Sequence, residues 1–223
     1  MAAKGEATRE KLTAAAEELI LKKGYAGTSL DEVLAATGLT KGAFFHHFKS
    51  KADLARAVVE RYAEADGALF AEWSARADRL SEDPLERVLI FLRLFEEHLD
   101  GLGRPFPGCV FAAYTYSREA FEPEIHAYIR ERFFGWMRLY EEKLEALIAA
   151  RPPAAPVTAR GLAEMIVTIV EGGFVLALAL DDATWLQRQS AGYRGYLELL
   201  FRPPGAGRRR PPAVSRGRLP NSA

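Results

Sequence analysis

The sequence predicts an all-α protein, and three observations carry that reading. Apolar residues recur at three- and four-residue spacing, strand-like alternation bounded by turns is absent, and segments open on capping residues and close on Gly or Pro. With 49% hydrophobic residues in 223, the chain holds enough apolar material for one or two domains with cores of their own. No internal repeat is evident.

The first helix is expected from about Arg9 to Lys23, burying Leu12, Ala16, Leu19 and Ile20. Residues 28–51 read as two short helices around a tight glycine turn. Ser29 and Glu32 form a capping-box pattern, Leu30, Val33 and Leu34 supply an apolar face, and Gly38 stands where a left-handed C-terminal residue is wanted. Thr40 then caps a helix opening Lys41-Gly42-Ala43, in which Phe44 and Phe48, four apart, share one face and bury. Gly42, Ala43 and His46 fall on roughly the opposite side, leaving a small, open surface beside Lys41. A helix presenting small residues can approach a groove closely, and Lys41 and the histidines can donate to bases or phosphates. The plainer alternative is a core hairpin with Lys41 merely solvated. Ser50 and Asp53 repeat the cap pattern more weakly, and a fourth helix runs from about Lys51 toward Ala77. Through Tyr62, Leu69 and Phe70 it enters a second domain.

Asp83-Pro84-Leu85-Glu86 starts the next helix with a cap, a proline at the first helical position and a Glu that can return to the cap. That helix carries Val88, Phe91, Leu92 and Phe95 to about Asp100. Residues 101–108 hold three glycines and two prolines and read as an irregular loop. Helices are then expected over about 109–120, 124–150, 158–180 and 182–201, with a turn at Phe121-Glu122-Pro123 and a stiff connector over 151–156. From Arg202 onward, five prolines and six arginines without an acid read as a disordered tail. Its Arg208-Arg209-Arg210 cluster reads either as a non-specific phosphate contact or as solvated chain.

Formal net charge is zero, which argues against attachment to nucleic acid by bulk charge. Residues 1–62 carry ten Lys/Arg against eight Asp/Glu, so binding there rests on placed contacts and on two copies of the domain. One cysteine excludes an intrachain disulfide and a cysteine-rich metal site, and suits a reducing cytoplasm. The N-terminus lacks an apolar signal segment, and the longest apolar run, Phe174 to Leu180, is too short to span a bilayer; the expectation is a cytoplasmic protein with no membrane partner. Adjacent His46 and His47 point about 100° apart on a helix, against joint metal ligation. Glu122, Glu124 and His126 are close, but Pro123 breaks their spacing and no second cluster supports a metal. No Gly-rich phosphate loop or nucleophile elbow is present, so neither an enzyme nor a cofactor is expected. Cys109 opens an apolar helix; it reads as a buried structural thiol or, if accessible, as a redox or electrophile sensor with a lowered pKa.

From Thr8 to Tyr62 the chain resembles the DNA-binding domain of the tetracycline-repressor (TetR) family of bacterial transcriptional regulators. The resemblance lies in Lys23-Gly24-Tyr25 at the end of the first helix, the pair Thr28-Ser29, and Ala35-Ala36-Thr37-Gly38-Leu39. It continues through Thr40-Lys41-Gly42-Ala43-Phe44-Phe45-His46-His47-Phe48-Lys49-Ser50-Lys51. It implies an N-terminal three-helix helix-turn-helix domain (1–50), a helical effector-binding and dimerisation domain (51–201) and the tail (202–223). It also implies that Lys41, Gly42 and Ala43 face base edges, while Thr28, Thr40, His46, His47 and Lys51 hold phosphates. Phe45 stands where the family usually has a phosphate-binding tyrosine and lacks the hydroxyl. Independently, Lys51 lies at a helix N-terminus where amides and its ammonium converge on an anion, and Ser29 serves either similarly or as a plain cap.

The family generally binds a small effector in its second domain, and aromatic residues are dense there, although each is individually more often core than ligand contact. The pocket expected between bundle helices comprises Phe91, Phe95, His98, Phe111, Tyr114, Tyr128, Phe133, Trp136 and Phe174. Phe106, Tyr116, Phe121, Phe134 and Tyr140 belong to the same aromatic set, with Arg93, Arg118 and His126 as further polar handles. An apolar or aromatic effector is implied. The last two helices offer a homodimer surface: Gly172, Gly173 and Ala177 permit close approach, and Tyr193, Tyr196, Leu197 and Leu200 form a stripe. The resulting expectation is a homodimeric regulator on a palindromic double-stranded DNA operator, released by a small-molecule effector. An effector-independent DNA binder and a helical enzyme are the alternatives.

Overall fold

The computed structural model describes residues 2–101, 108–117, 119, 121 and 123–202. No strand occurs among them. The helices are α1 (Ala2–Gly27), α2 (Leu30–Thr37), α3 (Lys41–His47), α4 (Lys51–Leu80), α5 (Pro84–Gly101), α6 (Val110–Thr115), α7 (Pro123–Ala150), α8 (Ala159–Ala179) and α9 (Trp185–Phe201). The expected tail beyond Arg202, Phe106 and the rest of 102–107, and Arg118 lie outside the described residues.

The N-terminal part is built on local signals. Helix α1 begins at Ala2 rather than near Arg9, extended by alanines that favour helix. It kinks at Gly24 (φ 76°), which turns the chain toward α2. Gly38 ends α2 with φ 67°, a conformation glycine adopts without a Cβ penalty, and donates its N–H to the Leu34 carbonyl. Leu12, Ala16 and Ile20 of α1 meet Val33 of α2, Phe44 and Phe48 at α3, and Leu54 and Val58 of α4 in one buried cluster.

Helix α4 belongs to both halves of the molecule. Its start packs on α1, and its later turns, including buried Trp73 and Ala77, extend along α5. In the C-terminal part α5 packs against α7 and α9, and α8 lies between α7 and α9. Apolar burial runs without a break from the N-terminal helices into this bundle.

Two elements differ from expectation. Helix α6 ends at Thr115, not near Ala120, because the chain turns to pack Phe121 against both Tyr25 and Tyr114, with ring centroids 4.2 and 4.6 Å away. Helix α9 starts at Trp185 rather than Asp182. The Asp182 carboxylate accepts from the Thr184 amide (3.0 Å) and hydroxyl (2.7 Å), forming the turn ahead of the helix. Helix α8 is 21 residues long, and its most apolar 18-residue window has a mean hydropathy of 1.9, which meets the length and composition of a membrane span but equally those of a core helix.

Candidate nucleic-acid interface and ligand cavity

The α2–α3 pair is held by reciprocal caps. Ser29 Oγ accepts from the Glu32 amide (3.2 Å), and the Glu32 carboxylate accepts from the Ser29 amide (2.8 Å) and hydroxyl (2.7 Å). Glu32 also pairs with Lys23, and these contacts hold its carboxyl down at about 2. Thr40 Oγ1 accepts from the Ala43 amide (3.2 Å), so α3 starts where the sequence predicts. Phe44 and Phe48 are buried.

The opposite face is open. Lys41, Gly42, Phe45 and His46 are exposed, Ala43 and His47 half-buried, and Phe45 is 57% exposed. A Cβ on Gly42 would meet nothing closer than Thr40 Oγ1 at 3.8 Å, so the backbone itself is presented. Lys41 pairs with exposed Asp31 at 3.0 Å, a weak contact that a stronger anion can displace. His46 and His47 lie edge to face, 5.0 Å between ring centroids, and no metal-holding cluster of His, Cys, Asp or Glu occurs among the described residues. Arg9, which sequence reasoning passed over, lies with its guanidinium 4.6 Å from the Phe48 ring centre and near the His47 carbonyl.

Two expected phosphate contacts point inward. Thr28 is buried, and its hydroxyl donates to the Gly24 carbonyl at 2.9 Å, so it closes the α1 turn. Lys51 Nζ donates to the Tyr25 carbonyl at 2.9 Å and lies 4.0 Å from the Tyr25 ring centre. Burial lowers the Lys51 pKa. Both side chains pin the end of α1 to the start of α2 and α4. The expectation took a helix N-terminus as free for an anion; the kink at Gly24 fills that place with Tyr25 instead.

A partly open cavity of about 260 Å³ lies among α1, α4, α5, α7 and α8. Of the expected pocket residues, Phe95, His98, Trp136 and Phe174 line it. Phe91, Phe111 and Tyr114 are fully buried in the packed core; Tyr114 donates its hydroxyl to the Ala55 carbonyl at 2.9 Å. Phe133 packs against Phe111 and Trp136, and Tyr128 faces a separate groove beside Arg56 and Ile125. Tyr116, Phe134 and Arg93 are exposed, and His126 lies beside Phe121. Helical spacing places a residue on a face but does not decide which side of a packed layer stays hollow.

The walls missed from sequence include Tyr62, Phe70 and Trp73 of α4, and two acids. Trp136 Nε1 donates to Asp66 Oδ2 at 2.6 Å, and burial, partly opposed by that bond, raises the Asp66 carboxyl to about 6. Glu171 is more exceptional. Both its oxygens are shielded from solvent without a hydrogen bond of good geometry, although the Cys109 thiol lies alongside. Burial raises Glu171 to about 7; the thiol contact lowers it and the Asp66 charge raises it further. A signal was present: Glu171 is the lone charge between Met165 and Leu180. Cys109 is buried, and burial together with the Glu171 charge pushes its thiol well up. That environment opposes a reactive thiolate and favours the buried structural reading of Cys109.

Of the residues expected at the dimer surface, Gly172 is exposed and the others are covered within the single chain. Gly173, Ala177, Tyr193, Leu197 and Leu200 are buried within the single chain, and Tyr196 is half-buried. A Cβ at Gly173 would lie 2.6 Å from Leu186 Cδ1, so this glycine serves the close approach of α8 to α9. Tyr193 donates to the Leu162 carbonyl at 2.9 Å. Another side of the pair is open: Met165, Val175 and Leu176 of α8 and Leu199 of α9 are exposed, and a Cβ at Gly172 or Gly192 would meet nothing within 4 Å. The apolar stripe was genuine, but it belongs to the fold of one protomer.

Two family profiles match this chain. "Bacterial regulatory proteins, tetR family" matches residues 12–58, and "Transcriptional regulator LmrA/YxaF-like, C-terminal domain" matches residues 84–191; together they cover more than half of it. The HTH-type transcriptional regulator LmrA of Bacillus subtilis (strain 168) is 28% identical over 184 residues, covering 79% of this chain and 89% of the relative. A TetR-family transcriptional regulator from Agrobacterium tumefaciens superposes with a TM-score of 0.74 at 25% identity, covering 88% of this chain and 99% of that one. A TetR transcriptional regulator from Chloroflexus aurantiacus J-10-FL gives 0.74 at 29% identity, with 89% and 98% covered. These relatives are transcriptional regulators, and none of their names describes an enzyme. With its capped α2–α3 pair inside the first matched segment and helices α5 to α8 of the bundle inside the second, the chain belongs to the TetR family and is a DNA-binding transcriptional regulator.

Proposed function

We propose that this regulator is a cytoplasmic homodimeric repressor, released from a palindromic operator when a small molecule enters the bundle cavity. Residues 1–50 form the DNA-reading unit, 51–201 the effector and dimer unit, and 202–223 a basic appendage. Lys41, Gly42 and Ala43 face bases, and Thr40, Phe45, His46 and His47, with Ser29 at the α2 cap, face the backbone. Thr28 and Lys51 act behind them as positioning residues.

One observation carries the effector reading: α6 joins the cavity to the DNA-reading unit. Cys109 lines the cavity at the start of α6, and Tyr114, near its end, bonds Ala55 and stacks with Phe121 beside Tyr25. A ligand that displaces the start of α6 therefore acts on the seat of α1 and α4. Such a ligand changes the separation of paired recognition helices to the extent that it binds one arrangement better.

The dimer uses the open side of α8 and α9, where Val175, Leu176 and Leu199 supply apolar area and Gly172 and Gly192 allow close backbone approach. Footprinting on the DNA upstream of the chain's own coding region tests the proposal. The expected result is protection of two half-sites about one helical turn apart or slightly more, lost on adding an effector from a hydrophobic panel. Protection that no panel member relieves supports an effector-independent binder. Sedimentation of Leu176→Glu should give folded monomers that lose operator affinity; an intact dimer would move the interface elsewhere.

A further inference from the structure

The cavity that serves the proposed release also carries information about its ligand, and the inference here rests on that reading. Its walls are largely aromatic, with Tyr62, Phe70, Trp73, Trp136, Tyr140 and Phe174 contributed by three helices. Such walls accept a flat apolar body, and ring faces favour a cation over an anion. Charged lining points the same way. The cavity includes Glu17, Asp66 and Glu171, and no Lys or Arg among the described lining residues. Glu17 is already paired with Arg61 at 2.5 Å, which leaves Asp66 and Glu171 as the acids without a cationic partner.

Glu171 makes the argument specific. A buried carboxyl normally accepts several hydrogen bonds, and leaving its oxygens unmatched costs stability unless a partner arrives. Among the described residues, no side chain supplies one beyond the adjacent Cys109 thiol, whose sulfur is a weak donor. Asp66 has one donor, Trp136, and retains acceptor capacity. A carboxylate ligand would meet two acids of its own sign. A neutral ligand would leave Glu171 at best partly matched.

We propose that the effector is an aromatic organic cation whose protonated amine or amidine nitrogen is received by Glu171 and Asp66 while its apolar body stacks among the aromatic walls. The bond formed is a charge-assisted hydrogen bond, with no covalent step. Burial holds both acids partly protonated near neutrality, so binding the cation expels protons. The other titratable groups facing this site are Glu17 with its Arg61 partner from α1 and α4, Tyr62 of α4 and His98 of α5. Cys109 before α6 and Tyr140 of α7 complete the set.

Three near-isosteric probes test the charge requirement on the full-length protein: 2-naphthylmethylamine, 2-naphthylmethanol and 2-naphthoate, titrated by calorimetry at pH 7.5. The amine should bind about tenfold tighter than the alcohol, and the carboxylate weakest, in the order charge-assisted pairing dictates. Amine affinity should rise between pH 5.5 and 8 with protons released to buffer, while alcohol affinity stays flat. Glu171→Gln, nearly isosteric, should bring amine and alcohol to within about threefold without weakening the alcohol, and should remove most of the pH slope. Asp66→Asn provides a second, independent reduction of the preference. Alcohol binding equal to or tighter than amine binding overturns the cation and leaves the cavity an effector site. An amine preference unchanged in both variants also overturns it. If none of the probes binds, both the cation and the effector cavity fall. Amine binding without release of the operator footprint leaves the charge assignment standing and overturns the release mechanism alone.

Discussion

The DNA-reading helices and the bundle cavity treat their polar groups in opposite ways. Around α2 and α3 the cap groups are matched nearby: Ser29 with Glu32, Thr40 with Ala43, Ser50 with Asp53. Around the cavity, Glu171 is left almost unpartnered and Asp66 is held by a single indole N–H. A part that must present one fixed surface to DNA gains from closed local accounts. A part that must respond to a ligand gains from keeping an interaction unmade until the ligand brings it. The DNA-reading side of the molecule is thus closed by local contacts, and the bundle side carries an unused interaction.

That contrast breaks most visibly at Phe44. It is completely buried among helices that share a small core, so Phe44→Ala should cost about 3–5 kcal/mol in denaturant unfolding and abolish operator binding. A loss below about 1 kcal/mol would mean that this core relaxes easily and is not the rigid partner in the comparison.

The cavity should show the reverse behaviour, with a sign set by pH. Glu171 is raised in the folded state above its usual value, so it binds protons more readily folded than unfolded. Its contribution is fully present below about pH 4.5 and is lost as pH rises through about 7. Between pH 5 and 8, wild-type stability should therefore fall by roughly 3 kcal/mol on account of this group. Glu171→Gln should flatten that fall, and Glu171→Leu should raise the melting temperature at pH 8. A pH profile unchanged by Glu171→Gln would show that solvent reaches the carboxyl and that the interaction is not held in reserve.

Two substitutions on the exposed α3 face sharpen the other half. Lys41→Ala should weaken operator binding by about 1–3 kcal/mol and relax base preference, with little change in stability because Lys41 is exposed and weakly paired. Gel-shift titrations against operator and scrambled duplex would show it; equal losses on both would make Lys41 a phosphate contact. The smallest effect is expected at Phe45. Its ring is 57% exposed, so Phe45→Tyr has room for a hydroxyl and should tighten binding to all sequences by about 0.5–1.5 kcal/mol. Unchanged affinity would place the ring away from the phosphate backbone.

Legibility in the sequence follows the same division. The capping pairs, Gly38 and the Phe44–Phe48 face were readable because each lies within five residues of its partner, where chain geometry alone brings groups together. The long helices of the bundle were readable by period, with errors where tertiary contacts decide an end: Phe121 stacked on Tyr114 cuts α6 short. The inward turn of Thr28 and Lys51 was not legible, since it depends on where the kink at Gly24 puts the Tyr25 ring and carbonyl. Nor was the cover of the α8–α9 stripe, because an apolar stripe looks the same whether its cover is another helix of the same chain or a second protomer.

By itself, then, the sequence determined the helices, the capped α2–α3 pair and the surface that α3 presents, all through interactions over one or two turns of chain. Tertiary structure alone decided which aromatic residues fill the core and which wall a cavity. It also decided which glycine joins α8 to α9, and that Asp66 and Glu171 line the same cavity. The physical reason is range. A hydrogen-bonded cap is selected by spacing along the backbone, whereas a void and a desolvated charge exist only once distant helices have packed around them.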